Sequence, residues 1–425
     1  MPDTIVALSS GAPPAAIGVI RLSGPQALAA ARSIAGTLPA PREARVRRLR
    51  QGAETLDQAI VLVFPGPDSA TGEDLVEFHV HGGQAVIAAV EGALLTCADV
   101  RRAEPGEFTR RALTNGRIDL NQAEAFADLL AAQTQSQHRA AMLASEGLLR
   151  RSIDELTDRL VGIAASIELA LDFADEDDAG EWDASSVDAE LAVLESDTCA
   201  WLARPKVEAL HRGFRVVIAG RPNRGKSTLF NALAGRDAAI VSPIAGTTRD
   251  RIEVPVAHEG VAFVLVDTAG LATDTDDEIE AIGIVRAEAA IETADVLLWL
   301  EADAAAPRDD AIRVVSQIDL PGCSIPDDAV GVSGVTGEGL ATLWAAIHAR
   351  VESLMPPMDG TALNQRQHDL LTRAVVAISA AQGVADPLVK AEEVRRARHT
   401  LDAITGTAGT EAMLDALFGR FCIGK

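Results

Sequence analysis

The sequence predicts a multidomain α/β and α+β chain: a phosphate-loop nucleotide-binding domain with a mostly parallel sheet, inserted in an all-α domain and preceded by a small α+β domain. Three observations predict this. Gly220-Arg221-Pro222-Asn223-Arg224-Gly225-Lys226-Ser227 follows an apolar, strand-like run at 215–219 and opens a helical pattern at 228–235, the setting that a G-x-x-x-x-G-K-[ST] phosphate loop requires. Strand and helix patterns alternate over 213–352, as in an α/β domain. Alanine- and leucine-rich helical patterns lie on both sides, at 119–212 and 353–425, so the simplest architecture inserts the nucleotide domain where a helical domain brings two chain ends together.

The small first domain covers 1–118. Strands are expected at 4–8 and 17–22, separated by a Gly-Ala-Pro-Pro loop. Pro25 stands at the start of a helix over 26–35. Further strands are expected at 58–64 and 74–81, and a helix at 84–95. His79 and His81 alternate along a strand and read as hydrogen-bonding rather than metal-binding residues. Segment 121–171 carries apolar residues at helical spacing with no proline and reads as one or two long helices. The acidic stretch 172–183 reads as a connector, because its carboxylates follow no calcium-loop register. Helix then resumes towards His211, and the last part predicts helices at 364–382, 387–405 and 410–418.

Composition narrows the function. The 425 residues hold two or three domains, and no apolar run approaches the ~18 residues of a membrane span. Met1-Pro2-Asp3-Thr4 lacks the features of a signal peptide. Cys97, Cys199, Cys323 and Cys422 show no pair spacing, so a reducing cytoplasm is expected. The net charge is −24, and since acidic and basic residues balance in 1–118 and in 354–425, the excess lies in 119–353. Such a surface repels nucleic acid. The arginine clusters Arg45, Arg47, Arg48, Arg50 and Arg101, Arg102, Arg110, Arg111 are the better places for RNA contact, with a solvated face as the plainer reading.

The inserted domain carries the chemistry. Gly220 and Gly225 let successive N–H groups of Asn223, Arg224, Gly225, Lys226, Ser227 and Thr228 turn towards an anion at a helix start. Only four lysines stand among 38 basic residues, which suggests that Lys226 answers a need for a compact ammonium at the β- and γ-phosphates. The Ser227 hydroxyl is placed to ligate magnesium. Gly246-Thr247-Thr248-Arg249-Asp250 offers a threonine for the γ-phosphate side. Asp267-Thr268-Ala269-Gly270 ends a buried strand, where the aspartate holds the metal through water and the Gly270 N–H senses the γ-phosphate. Together these make a GTPase-type switch site. Guanine would be read by Asp319 in Ser316-Gln317-Ile318-Asp319, with Ser333-Gly334-Val335 as the final loop. Ser316 and Gln317 stand where asparagine and lysine are usual, so weakened guanine affinity is expected.

On these residues the chain resembles the MnmE (TrmE) family of tRNA-modifying GTPases. The likeness runs from Thr4-Ile5 with Ile17-Gly18-Val19-Ile20-Arg21, through Thr71-Gly72-Glu73-Asp74, His81-Gly82-Gly83, 105–112 and 119–125, to the terminal Phe421-Cys422-Ile423-Gly424-Lys425. It implies a folate-binding, dimerising domain at 1–118, a helical domain at 119–212 and 353–425, and a GTPase domain at 213–352. It further implies a homodimer that joins a FAD-containing MnmG (GidA) type partner in a heterotetramer or larger complex. Together they would install an aminomethyl or carboxymethylaminomethyl group on carbon 5 of the wobble uridine of certain tRNAs. By motif position Arg21, Glu77, Arg117 and Lys425 would contact formyl-tetrahydrofolate, with Arg117 in place of the family's usual lysine. Cys422 reads as a positioning group, because no neighbouring base can be named for a nucleophile. The resemblance also implies potassium-stimulated hydrolysis, with Asn223, Ser242, Ile244 and Thr247 at the K+ site and Ser227 and Thr248 at Mg2+. Glu280 matches the residue that orients the attacking water, and Glu278 is the second candidate because the chain has one extra residue after Asp267.

Two other readings compete. A ribosome-assembly or RNA-binding switch GTPase would show tandem GTPase domains or a basic GxxG-type RNA domain, and the sequence shows neither. A degenerate nucleotide sensor rests on Ser316 and Gln317 alone.

Overall fold

The computed structural model describes residues 3–172, 184–235, 239–240, 253–268, 285, 287–301, 304–406, 418–419 and 424. The chain divides into two compact units, residues 1–127 with 402–425, and residues 128–401.

The first unit is built on β1 (Thr4–Leu8), β2 (Ile17–Ser23), β3 (Arg45–Gln51), β4 (Glu54–Phe64), β5 (Leu75–His81) and β6 (Val100–Arg102). They form one sheet in the order β3-β4-β5-β2-β1-β6, antiparallel except for the β1–β6 pair. Alternating apolar residues give the sheet a buried face: Ile20, Leu22, Val61, Val63, Val76 and Phe78 pack beneath α1 (Ala27–Ala35) and α2 (Gln84–Leu95). Ile5 and Ala7 of β1 point the other way and meet Phe108 of α3 (Glu107–Thr114).

β3 and β6 go beyond the sequence reading. Arg45, Arg47, Arg48 and Arg50 stand on β3, which closes one edge of the sheet, and charged side chains on an edge strand discourage pairing with another chain. The second arginine cluster is partly internal. Arg111 is completely buried, and its guanidinium donates to the Asp3 backbone oxygen (2.9 Å) and to the carboxylates of Asp3 (3.0 Å), Glu73 (3.1 Å) and Glu107 (2.9 Å). Arg101 joins the network through Asp3 and Glu107. Phe418 packs with Ala123 of α4 (Leu120–Ala131). Gly424 has φ +96, and a Cβ there would stand 1.9 Å from the Leu8 carbonyl oxygen, so glycine is required in the terminal motif where it meets β1.

In the second unit, α5 (Gln135–Ser145) and α6 (Leu148–Asp172) follow α4, so the 121–171 stretch is three helices rather than one or two. The break after α4 has a local cause. Thr134 caps α5 and Gln137 returns the bond to the Thr134 N–H, a reciprocal capping box. The 172–183 connector falls almost entirely outside the described residues. Beyond it come α7 (Ala184–Leu202) and α8 (Glu208–Arg212).

The nucleotide domain contains β7 (Phe214–Ala219), α9 (Lys226–Gly235), β8 (Ala239–Ile240), β9 (Glu253–His258), β10 (Val261–Asp267), β11 (Val296–Trp299), β12 (Ile312–Ser316), β13 (Ala329–Val332) and α10 (Leu340–Glu352). Its sheet order is β13-β12-β11-β7-β10-β9-β8, and β7, β10, β11, β12 and β13 run parallel. Val216, Ile218, Leu265 and Leu298 bury one face under Leu229 and Leu233 of α9 and Leu343 and Ile347 of α10. With β7 central and its two parallel neighbours on opposite sides, the crevice at its carboxyl end is where an open α/β sheet binds ligand.

The chain then returns to helices α11 (Gln365–Ala381) and α12 (Pro387–Thr405). These close back onto α7: Trp201 Nε1 donates to the Thr361 oxygen (2.9 Å), Gln382 Nε2 to Glu195 (2.6 Å), and the buried Lys390 ammonium pairs with Asp188. Within the second unit, α7 before the nucleotide domain and the residues 361–390 after it therefore pack together. No helix among the described residues is long and apolar enough to cross a membrane.

Candidate functional site

β7 ends at Ala219 and α9 begins at Lys226, leaving the phosphate loop as a tight connection. Gly225 has φ +75, and a Cβ there would sit 3.3 Å from the Gln317 side chain, so glycine suits both the backbone and the close approach. Asn223 also takes positive φ, at +63. Lys226 is only 7 % exposed, and its ammonium folds over the loop to donate to the carbonyl oxygens of Gly220 (2.7 Å) and Arg221 (2.8 Å). Burial pulls its pKa below the usual lysine value, and the negative charges of Asp267 and Glu301 oppose that pull. The ammonium is thus held over the loop that an anion would occupy.

Register places the metal candidates. Asp267 pairs with Ile218 across the β10–β7 ladder, which brings its carboxylate beside the start of α9. Ser227 Oγ donates to Asp267 Oδ2 at 2.8 Å. Convergent hydroxyl and carboxylate oxygens are the donor set that Mg2+ takes. Thr268 is buried and its hydroxyl donates to the Ile218 oxygen (2.8 Å), which fixes the strand end.

The segment expected to read the base reaches the same place. Ser316 closes β12, and its Oγ donates to the Arg224 carbonyl oxygen at 2.5 Å. The serine therefore supplies a tie to the phosphate loop, despite standing where asparagine is usual. Gln317 takes positive φ (+62) against Gly225, and Asp319 is exposed. Ser333 is fully buried and accepts from the N–H groups of Val335 (3.3 Å) and Thr336 (3.1 Å). Next to it, Gly334 lies against the Thr228 carbonyl, where a Cβ would come within 2.9 Å. Ser242, Ile244, Thr247, Thr248, Ala269, Gly270, Glu278 and Glu280 lie outside the described residues.

Glu301 was not foreseen. It follows β11 at 5 % exposure, accepts the Arg221 N–H (2.6 Å) and pairs with the Arg221 side chain (3.2 Å). A carboxylate ending the apolar run Val296-Leu297-Leu298-Trp299-Leu300 was the available signal.

A second candidate lies in the first unit. A cavity of about 320 Å³ is lined by Arg42, Phe64, Asp68, Ser69, Glu77 and Arg117, among others. Arg42 lies 5.7 Å over the Phe64 ring, and Arg117 stands 3.6 Å from Asp68. Glu77 accepts two bonds from Arg21 (2.8 and 3.0 Å), whose guanidinium also covers Phe108 at 5.8 Å. Three of the four expected folate residues, Arg21, Glu77 and Arg117, are thus at or beside one cavity; Lys425 and Cys422 lie outside the described residues. His79 and His81 bond to Glu77 (3.4 Å) and Asp57 (2.7 Å).

Comparison with known proteins decides the family. The family described as GTP-binding protein TrmE N-terminus matches residues 4–117, and the MnmE helical domain family matches 120–422. The chain belongs to the MnmE family. The tRNA modification GTPase MnmE of Erythrobacter litoralis is 51 % identical over 425 residues, covering 100 % of both chains. That of Novosphingobium aromaticivorans is 50 % identical over 438 residues, again covering 100 % of both. Among solved structures, the G domain of the T. maritima FeoB iron transporter is 25 % identical, with a TM-score of 0.24, covering 32 % of this chain and 98 % of that one. For an MnmE-family chain, Arg42, Phe64 and Asp68 are additions to the expected pocket. No motif of the sequence linked them to Arg21, Glu77 and Arg117.

Proposed function

We propose that this GTPase of tRNA modification acts on carbon 5 of the wobble uridine, as a cytoplasmic homodimer working with a FAD-containing MnmG-type partner in a heterotetramer or larger complex. The working parts are a folate-binding segment at 1–118, helical segments at 119–212 and 353–425, and the GTPase segment at 213–352. The observation that carries the reading is the Ser227–Asp267 oxygen pair, 2.8 Å apart beside the buried Lys226. Formed by one loop and one strand end, it is a site for a metal-bound nucleoside triphosphate.

Each residue has a role in that chemistry. Lys226 exchanges its two carbonyl partners for the β- and γ-phosphate oxygens, a compact ammonium moving from one set of acceptors to a more charged one. Ser227 and Thr248 would hold Mg2+, with the Asp267 carboxylate beside Ser227. Mg2+ neutralises charge that develops on the phosphate oxygens. Asp319 accepts from the guanine N–H groups, and Ser316 keeps its segment registered on the phosphate loop. Asn223, Ser242, Ile244 and Thr247 would hold K+, and a monovalent cation there would offset transition-state charge as an arginine finger does. Glu280 orients the water.

The cavity beside Arg21, Glu77 and Arg117 suits formyl-tetrahydrofolate, since a flat ring can lie on an aromatic or guanidinium face and its amide and carboxylate groups find arginines. Arg42 and Phe64 add a cationic face and an aromatic face to it.

Three measurements test the proposal. GTP turnover by the full chain with Mg2+ should be faster in K+ than in Na+, and equal rates would remove the potassium site. Glu280→Ala should keep GDP binding while turnover falls by orders of magnitude. Nucleoside analysis of tRNA from a deletion strain should show the C5 modification missing at the wobble uridine; a profile that still carries it, as the parent strain does, overturns the substrate assignment.

A further inference from the structure

The nucleotide sheet has a second chemically distinct end. β10 runs from Val261 to Asp267, so its start lies roughly 20 Å from the Asp267 carboxylate at ~3.3 Å per residue. There β9 and β10 are joined by the two-residue turn Glu259-Gly260, both at positive φ (+48 and +78), the geometry of a tight hairpin. His258 enters the turn, and His348 approaches it from α10.

The two imidazoles face each other. His258 Nδ1 stands 2.8 Å from His348 Nε2, and Glu259 Oε2 stands 3.9 Å from the same Nε2. All three ligand atoms lie within 4.8 Å of one another. The rings are held in place by aromatic packing. His258 is stacked on the Trp344 indole (centroids 4.0 Å apart, 4° between planes), and His348 meets the Phe263 ring edge-on (5.3 Å, 88°). Trp344 and Phe263 are themselves buried. Trp344 and His348 are four residues apart on α10 and so share a face.

We propose that His258 Nδ1, His348 Nε2 and the Glu259 carboxylate bind one divalent transition-metal ion of the zinc class. Two nitrogens converging at hydrogen-bond distance need a proton between them, and an ion can take its place. For the neutral pair the bridging hydrogen shifts to the other ring nitrogen of its own imidazole, so no proton is gained or lost. Zinc-class bonds of about 2.0–2.1 Å in tetrahedral geometry would part the nitrogens to about 3.3 Å, a shift of about half an ångström. Two imidazoles with one carboxylate suit zinc, cobalt or nickel, whereas magnesium and calcium take oxygen ligands. The Glu259 side chain is 74 % exposed, which leaves the remaining coordination position to water.

Such an ion would fasten the hairpin tip to the last helix of the nucleotide domain. The same tip receives the Ser136 N–H on the Gly260 carbonyl (3.0 Å) at the start of α5, so the fastening acts where sheet and helical segment touch.

The test uses the full chain, stripped with chelator and loaded with Mg2+·GDP so that the phosphate site is occupied. Co2+ is titrated and followed by its visible ligand-field absorption, then displaced by Zn2+, and thermal unfolding is recorded with and without Zn2+. Stoichiometric Co2+ binding with imidazole-type bands and a Zn2+-dependent rise in the unfolding midpoint are expected. His258→Ala and His348→Ala should each weaken binding by at least the roughly 10–100-fold that the loss of an outer-shell partner costs while GDP affinity stays unchanged, which establishes that the variants fold. Glu259→Gln, on an exposed turn, gives a milder arm and should weaken binding without altering unfolding in chelator. Absence of saturable binding overturns the proposal and leaves a hydrogen-bonded histidine pair. Equal binding by wild type and His348→Ala also overturns it, by placing the ion elsewhere, such as on the cysteines.

Discussion

Ser316→Ala isolates one hydrogen bond that bears on nucleotide binding. The Ser316 hydroxyl donates to the Arg224 carbonyl, so it joins the segment proposed to read the base to the phosphate loop. A neutral hydrogen bond contributes about 0.5–1.5 kcal/mol net. At roughly 1.4 kcal/mol per tenfold, GDP affinity should weaken by about two- to twelvefold. Because the bond acts on the loop, GDP and IDP should weaken in the same ratio. Asp319→Ala should behave differently. Its carboxylate would accept from two guanine N–H groups at about 1.5–3 kcal/mol each, and inosine lacks one of them, so GDP should lose far more than IDP. The assay is displacement of a fluorescent GDP from the full chain by each nucleotide. Wild-type affinity in Ser316→Ala, or a loss confined to GDP, would refute the assignment of this serine as a loop tie.

Other expectations follow from the same structure. Arg111→Met leaves Asp3, Glu73 and Glu107 without their buried partner and should destabilise the first unit by about 3–5 kcal/mol, read from urea unfolding. The pH dependence of that unit has a definite sign. Burial pushes the Glu107 and Asp3 carboxyls up, but Arg101 and Arg111 outweigh it and hold both below their usual values of 4.5 and 3.8. Their stabilisation is therefore complete above those unfolded values and is lost as pH falls through the lower folded ones, so the urea midpoint should hold between pH 7 and 5 and drop below pH 4. Ser227→Ala removes the proposed magnesium donor, and the Mg2+ needed for half-maximal GTP turnover should rise about tenfold or more, the range that the loss of even an outer-shell partner costs. Arg42→Ala removes a cationic face of the cavity, and formyl-tetrahydrofolate affinity, measured by calorimetry, should fall by the roughly two- to fivefold that a cation–aromatic contact of about 0.5–1 kcal/mol to the bound ring would supply.

Much of this architecture could be read from local pattern. The phosphate loop declared itself because its glycines, lysine and serine sit at fixed spacing between a strand pattern and a helix pattern. The strands of the first unit followed from alternation, and β5 and α2 fell where expected to within a residue. β3 escaped because Arg45-Val46-Arg47-Arg48-Leu49-Arg50 looks like a charged surface when its sheet neighbour is unknown. The break between α4 and α5 was legible in Thr134-x-x-Gln137, but the continuous alanine-rich periodicity masked it. Glu301 and Arg42 were missed for another reason. Their importance comes from what the fold brings beside them, the Arg221 N–H in one case and the Phe64 ring in the other. Such pairings between distant segments leave no periodic trace.

The helical body also has a timing consequence. Asp188 and Lys390 are separated by 202 residues, and at about 5–20 residues per second a ribosome takes roughly 10–40 s to supply the second partner after the first. The nucleotide domain emerges complete within that interval. Its folding draws the two stems of the chain together before the later helices arrive, so α7 waits for its neighbours beside an already finished module rather than at the end of a long free coil.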